Sequence, residues 1–167
     1  RIIIPKFLQK NTYPEILILE YGADRPGDIE YLTSIARPTI GVVSLVGDTP
    51  VHVEFYPNAE AVAKEKEKLV RALSVKGFAV LNKDDGRVFA MKDATRGAVV
   101  TYGTDEDATV RITEHEVELQ SDGIMLPKGI RFVLTVNNES IPLRIPGVIG
   151  TAQAYAAAAA TAVGVSK

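Results

Sequence analysis

Three side chains of this 167-residue chain invite a chemical reading: Glu20, His52 and Lys66. Glu20 follows four apolar residues, Ile16 to Leu19, and precedes Tyr21-Gly22, which places a carboxylate at the carboxyl end of an expected buried strand. Open α/β sheets bind ligands just outside such ends, and a hard oxygen ligand there suits Mg2+. The alternatives are an acid that caps a neighbouring helix or is solvated. His52 lies six residues past a second apolar run, among Val51, Val53 and Phe55, with Glu54 placed to orient it. It reads as a ligand or as a hydrogen-bonded loop group. Lys66 shares the spacing i, i+4, i+7, i+11 with Val62, Leu69 and Leu73, so a lysine stands in an apolar helix stripe while Lys64, Lys68 and Arg71 take the other side. Burial lowers a lysine pKa toward a neutral amine, which can take up carbon dioxide as a carbamate; otherwise the chain lays its stem on the core and its charge in water.

The elements that would position these groups alternate between two patterns. Short apolar runs at Ile16–Leu19, Thr39–Val46, Phe78–Leu81 and Ala98–Tyr102 suit strands buried on both faces. Between them, helices are expected over Asp28–Ala36, started by an Asp24 cap and stopped at Arg37-Pro38, over Asn58–Leu73, and over Asp85–Ala94 with Asp85 as cap. From Ala108 the texture changes to polar/apolar alternation through Gln120, a turn at Ser121-Asp122-Gly123, a run Ile130–Val136, a turn at Asn137-Asn138 and a run Ile141–Ile145. Pro146-Gly147 then leads to an Ala-rich helix, Ala152–Val163. The expected fold class is α/β: a mainly parallel sheet flanked by helices, in a single domain over 1–167, with a small antiparallel addition over about 108–145. His115, between Glu114 and Glu116, reads as an exposed-face residue without a role.

Composition narrows the function classes. There are no cysteines, which excludes disulfides and thiolate chemistry, and two histidines make a histidine-rich zinc site unsuitable. A formal net charge of -2 gives no electrostatic reason for a nucleic-acid partner, and no apolar run reaches the roughly 18 residues of a membrane span. A cytoplasmic protein is the expectation. The chain begins at Arg1 and reads as a fragment of something longer. Neither Gly-x-x-x-x-Gly-Lys-Ser/Thr nor Gly-x-Gly-x-x-Gly occurs in it.

The order of motifs resembles the central, ATP-binding domain of the Mur ligases. The resemblance rests on Leu19-Glu20-Tyr21-Gly22-Ala23 through Pro26-Gly27-Asp28-Ile29, Ile35-Ala36-Arg37-Pro38, His52-Val53-Glu54-Phe55, Ala63-Lys64-Glu65-Lys66 and Val80-Leu81-Asn82-Lys83-Asp84-Asp85. It covers about Ile16 to Val163. The most similar branch carries Glu-x-Gly-Ala followed by Pro-Gly-Glu-Ile and joins D-alanyl-D-alanine to a UDP-muramoyl peptide. The resemblance implies ATP and Mg2+ as cofactors, Glu20 and His52 as metal ligands, and Lys66 carbamylated beside a second metal. His52 and Lys66 are thereby the catalytic pair, with Asn82 and Gln153 toward the nucleotide. It also implies that the UDP-binding N-terminal domain, the amino-acid-binding C-terminal domain and the phosphate-loop strand and helix lie outside the chain, so that these 167 residues alone are inactive. The chain departs from the family at Val46–Val51, where the link to His52 is longer, and at Ile149 and Gly150, where the family has His-Asn. Other members, folylpolyglutamate synthase-like or cyanophycin synthetase-like ligases, and a noncatalytic α/β binding module descended from them, are the alternatives.

Overall fold

The computed structural model describes residues 14–48, 54–120 and 126–166. In chain order it holds α1 (Asp28–Ile35), β1 (Ile40–Val43), α2 (Ala59–Arg71), β2 (Phe78–Asn82), α3 (Gly86–Ala90) continued by a 3-10 turn (Met91–Ala94), β3 (Ala98–Gly103), β4 (Val110–Gln120), β5 (Leu126–Val136), β6 (Glu139–Pro146) and α4 (Ala152–Val165). The strands form one sheet in the order β1-β2-β3-β4-β5-β6. The pairs from β1 to β4 are parallel, and β4-β5 and β5-β6 are antiparallel. The expected α/β sheet with its antiparallel addition is therefore present.

Each element has a local cause. Asn58 caps α2 by accepting from the Ala61 amide at 2.9 Å, and Asp85 caps α3 by accepting from Arg87 and Val88. The two-residue loop Asn137-Asn138 has both φ angles positive, 51° and 66°, as a tight hairpin turn of this hand requires, and pairs Val136 with Glu139. A bulge between Thr113 and Glu116, with Glu114 at φ 53°, adds a residue to β4. It turns His115 inward. That histidine is half-buried and its Nε2 lies 3.1 Å from the Gly150 carbonyl oxygen, so it is a tether rather than the bare surface group expected.

Two layers of core flank the sheet, and β2 shows why. Ala79 and Leu81 point to one side with Val62, Ala63, Val70 and Leu73 of the α2 layer, while Val80 points to the other with Val100, Tyr102, Phe132 and three residues of α4. All three β2 residues are fully buried, which accounts for its continuous apolar run. At the other end of the strands a Cβ on Gly97 would overlap the Gly77 carbonyl oxygen, so the starts of β2 and β3 meet backbone to backbone.

Two expectations fail. Ile16–Leu19 forms no strand among the described residues, and Ile18 is 90% exposed. Apolar character makes a buried strand only when another strand supplies hydrogen bonds, and none among the described residues does. Asp24 does not cap α1 either; Gly27 occupies that place at φ 102° with no side-chain cap of its own. The amides of Gly27 and Ile29 instead donate to Oε1 of Glu65, at 3.0 and 3.1 Å, from across the α1–α2 interface. Glu65 is 4% exposed and pairs with Lys68 at 2.8 Å. Its charge is thus compensated twice, by donors at a helix amino end and by an ammonium.

Candidate functional site

Polar groups converge where β1, β2 and β3 end. α2 lies across β1, with Leu69 and Leu73 against Gly41, and this brings Lys66 to the strand's carboxyl side. Its Nζ donates to the Leu45 carbonyl oxygen at 2.6 Å. Burial holds the Lys66 pKa below the ordinary lysine value, and the Asp85 carboxylate opposes that shift. Lys66 as a whole is half-buried, at a strand end.

Asn82, the last residue of β2, is 4% exposed. Its Nδ2 donates to the Ser44 carbonyl oxygen at 2.9 Å and its Oδ1 accepts from the Asp84 amide at 3.0 Å. Lys66 and Asn82 therefore bind neighbouring carbonyls, Leu45 and Ser44, of one segment. Asp85 completes the enclosure: beyond capping α3, its Oδ2 accepts from the Val46 and Gly47 amides at 2.7 and 3.1 Å. Desolvation pushes its carboxyl up, but these four backbone donors outweigh it and hold the pKa below the usual value.

Asp84 organises the next strand end. It accepts from the Thr104 amide at 2.6 Å, the Thr104 hydroxyl at 3.0 Å, the Asp105 amide at 3.0 Å and the Tyr155 hydroxyl at 2.6 Å. Gly103, at φ 148°, makes room: a Cβ there would stand 2.7 Å from the carboxylate. Desolvation raises the Asp84 carboxyl, yet the Tyr155, Thr104 and Asp105 donors prevail and its pKa is lowered. Lys83 reaches Asp105 at 2.8 Å and Asp107 at 3.4 Å.

The remaining expected residues are placed less tightly. Gln153 sits in the first turn of α4, where its Oε1 is buried without a partner. Glu20 is exposed and, because Ile16–Leu19 is no strand among the described residues, does not end one. His52 lies outside the described residues. Among the described residues no three His, Cys, Asp or Glu side chains gather as a metal-holding group. The structure thus brings Lys66 and Asn82 together and leaves Glu20 apart in environment. Sequence reasoning missed Glu65, Asp84 and Tyr155. The Asn82-Lys83-Asp84-Asp85 run was a visible signal, but its long-range partners were not.

The chain matches, over residues 1–164, the sequence profile of the Mur ligase middle domain. The UDP-N-acetylmuramoyl-tripeptide--D-alanyl-D-alanine ligase of Mycobacterium tuberculosis is 35% identical over 156 residues, 93% of this chain and 29% of that protein. The ligase of the same description from Mycobacterium leprae is 44% identical over 93 residues, 56% of this chain and 18% of that protein. Among solved structures, MurF ligase from Thermotoga maritima in complex with ADP superposes with a TM-score of 0.73 at 25% identity, covering 92% of this chain and 34% of that one. The chain thus spans under a third of the curated relatives' length.

Proposed function

The chain belongs to the Mur ligase family, as its middle domain, and on that footing we propose that it is the nucleotide-binding part of an ATP-dependent ligase joining D-alanyl-D-alanine to a UDP-muramoyl peptide. The observation that carries the reading is the Lys66 amine, held at the strand ends against Leu45 with its pKa lowered. A neutral amine there retains a lone pair; attack on carbon dioxide forms the C–N bond, releases a proton and leaves an anionic carbamate. Gln153, whose Oε1 is buried without a partner, would accept from the exocyclic amine of a base. Glu20, an exposed carboxylate here, is assigned to Mg2+ by the resemblance alone; that ion keeps several waters and needs only one or two carboxylates beside phosphate. Glu20, His52 and a carbamate on Lys66 would hold it. When bound, Mg2+ offsets charge on the phosphoryl group in transfer.

In the proposed reaction the peptide carboxylate attacks the terminal phosphorus of ATP and ADP leaves. The amine of D-alanyl-D-alanine then adds to the acyl carbon, loses a proton, and phosphate departs from the tetrahedral intermediate. The chain's part is to hold the nucleotide while neighbouring domains supply the two other substrates. The full-length protein, given UDP-muramoyl tripeptide, ATP, Mg2+ and D-alanyl-D-alanine, should release phosphate and form the amide, and should do so poorly with other amines. Turnover with glutamate instead would assign it to another branch, and absence of nucleotide binding would favour the noncatalytic reading, which rests on Ile149, 64% exposed, and Gly150 standing where the family has His-Asn. Carbon-13 NMR in labelled bicarbonate should show a carbamate carbon that Lys66→Arg removes.

A further inference from the structure

The face that α4 turns to the sheet is almost featureless. Ala154, Ala158 and Ala162, one above another at i, i+4 and i+8, are each fully buried. Methyl groups let the helix approach closely, but they offer no large knob to fix its rotation or its slide along the sheet. The amino end has no side-chain cap of its own, since Thr151 makes none. Beside the partial packing of Tyr155 and Val163 on the same core, two polar contacts fix this end. His115 binds the Gly150 carbonyl before the helix begins. Inside the first turn, the Tyr155 hydroxyl donates to Oδ2 of Asp84 at 2.6 Å, the length of a charge-assisted bond. The Tyr155 ring stands edge-on to Tyr102, centroids 6.5 Å apart and planes at 71°, so the ring cannot swing away without losing an aromatic contact.

Asp84 is itself immobilised by the Thr104 and Asp105 donors at the end of β3. A rigid acceptor therefore meets a rigid donor. Gln153 lies two residues before Tyr155 in the same turn, with its buried oxygen unpartnered.

From this juxtaposition we infer that Tyr155 and Asp84 form a latch that seats the first turn of α4 at the strand ends and so positions Gln153 for the nucleotide base. Tyr155 is a positioning residue here, acting through Gln153. The inference rests on the nucleotide-binding reading above and adds a residue pair to it.

The test is a double-mutant cycle on the full-length protein, read by calorimetric titration with ADP and, separately, with inorganic tripolyphosphate. Tyr155→Phe keeps the ring and removes one oxygen. It should weaken ADP about three- to tenfold, the worth of one hydrogen bond, and leave tripolyphosphate unchanged. In a Gln153→Ala background the same substitution should change ADP affinity less than twofold. Equal weakening in both backgrounds, or no weakening in the first, overturns the latch. Wild-type protein that binds no ADP overturns the nucleotide reading beneath it, and with it the latch. Asp84→Asn serves as a second route through the same cycle should Tyr155→Phe lose its cooperative thermal transition.

Discussion

Lys66 carries a stability signature distinct from any catalytic one. Burial lowers its pKa in the folded protein relative to the ordinary value of 10.5, so between the lowered and the ordinary value the unfolded chain binds more protons than the folded one. Folding stability must then rise with pH across that window and level off above it. Urea unfolding of wild type and Lys66→Met from neutral pH to about pH 10.5 should show this rise in the first and its loss in the second. Identical slopes would mean that the amine is solvated in the folded state. Asp84 and Asp85 give a slope of the same sign in the acid range. Their folded pKa values are lowered, so their contribution is complete above the ordinary carboxylate range and fades as pH falls through the lowered values. Asp85→Asn should flatten the acid limb of the stability curve and, by removing the carboxylate that opposes the Lys66 shift, steepen the alkaline limb.

Elements are joined by single side chains that no local pattern announces. Glu65 sits one position from the lysine that attracted attention, yet its role depends on α1 lying beside α2, with the Gly27 and Ile29 amides aimed at its carboxylate. Glu65→Ala should cost about 2–4 kcal/mol, because two helix-end donors lose their acceptor and Lys68 loses its near partner. Arg37 does the reciprocal service, donating from Nε to the Ala72 carbonyl at the end of α2, 2.7 Å away. Gly97→Ala tests backbone proximity. The new methyl would meet the Gly77 carbonyl, and the strands must part, costing roughly 1–3 kcal/mol by chemical denaturation. A neutral result would mean that β3 begins farther from Gly77 than its 3.0 Å amide bond indicates.

At the scale of the molecule, what was legible in the sequence is what depends on period. The apolar runs of β1, β2 and β3, the stripe of α2 and the alternation of β4 to β6 all report burial through spacing, and each element overlaps its expected run, though β1 (Ile40–Val43) is shorter than Thr39–Val46 and β5 (Leu126–Val136) starts before Ile130. Ile16–Leu19 carries the same apolar signal and no strand, because pairing is a property of a neighbour and not of the run itself. The site divides in the same way: Lys66 was found through its stripe, whereas Asp84 and Tyr155, 71 residues apart, meet only once β2 and α4 have packed. This division predicts where the fold yields first. Ala79, Val80 and Leu81 have no exposure and a parallel neighbour on each side, so their amides should exchange hydrogen only through global unfolding. Amides of residues 16–20, exposed and outside any strand, should exchange within the dead time of the measurement. α1, held largely through Glu65, should open at intermediate free energy, and Glu65→Ala should speed its exchange without altering the ratio between β2 exchange and global stability. Slow exchange at residues 16–20 would place that run in a strand after all, with Glu20 at its end.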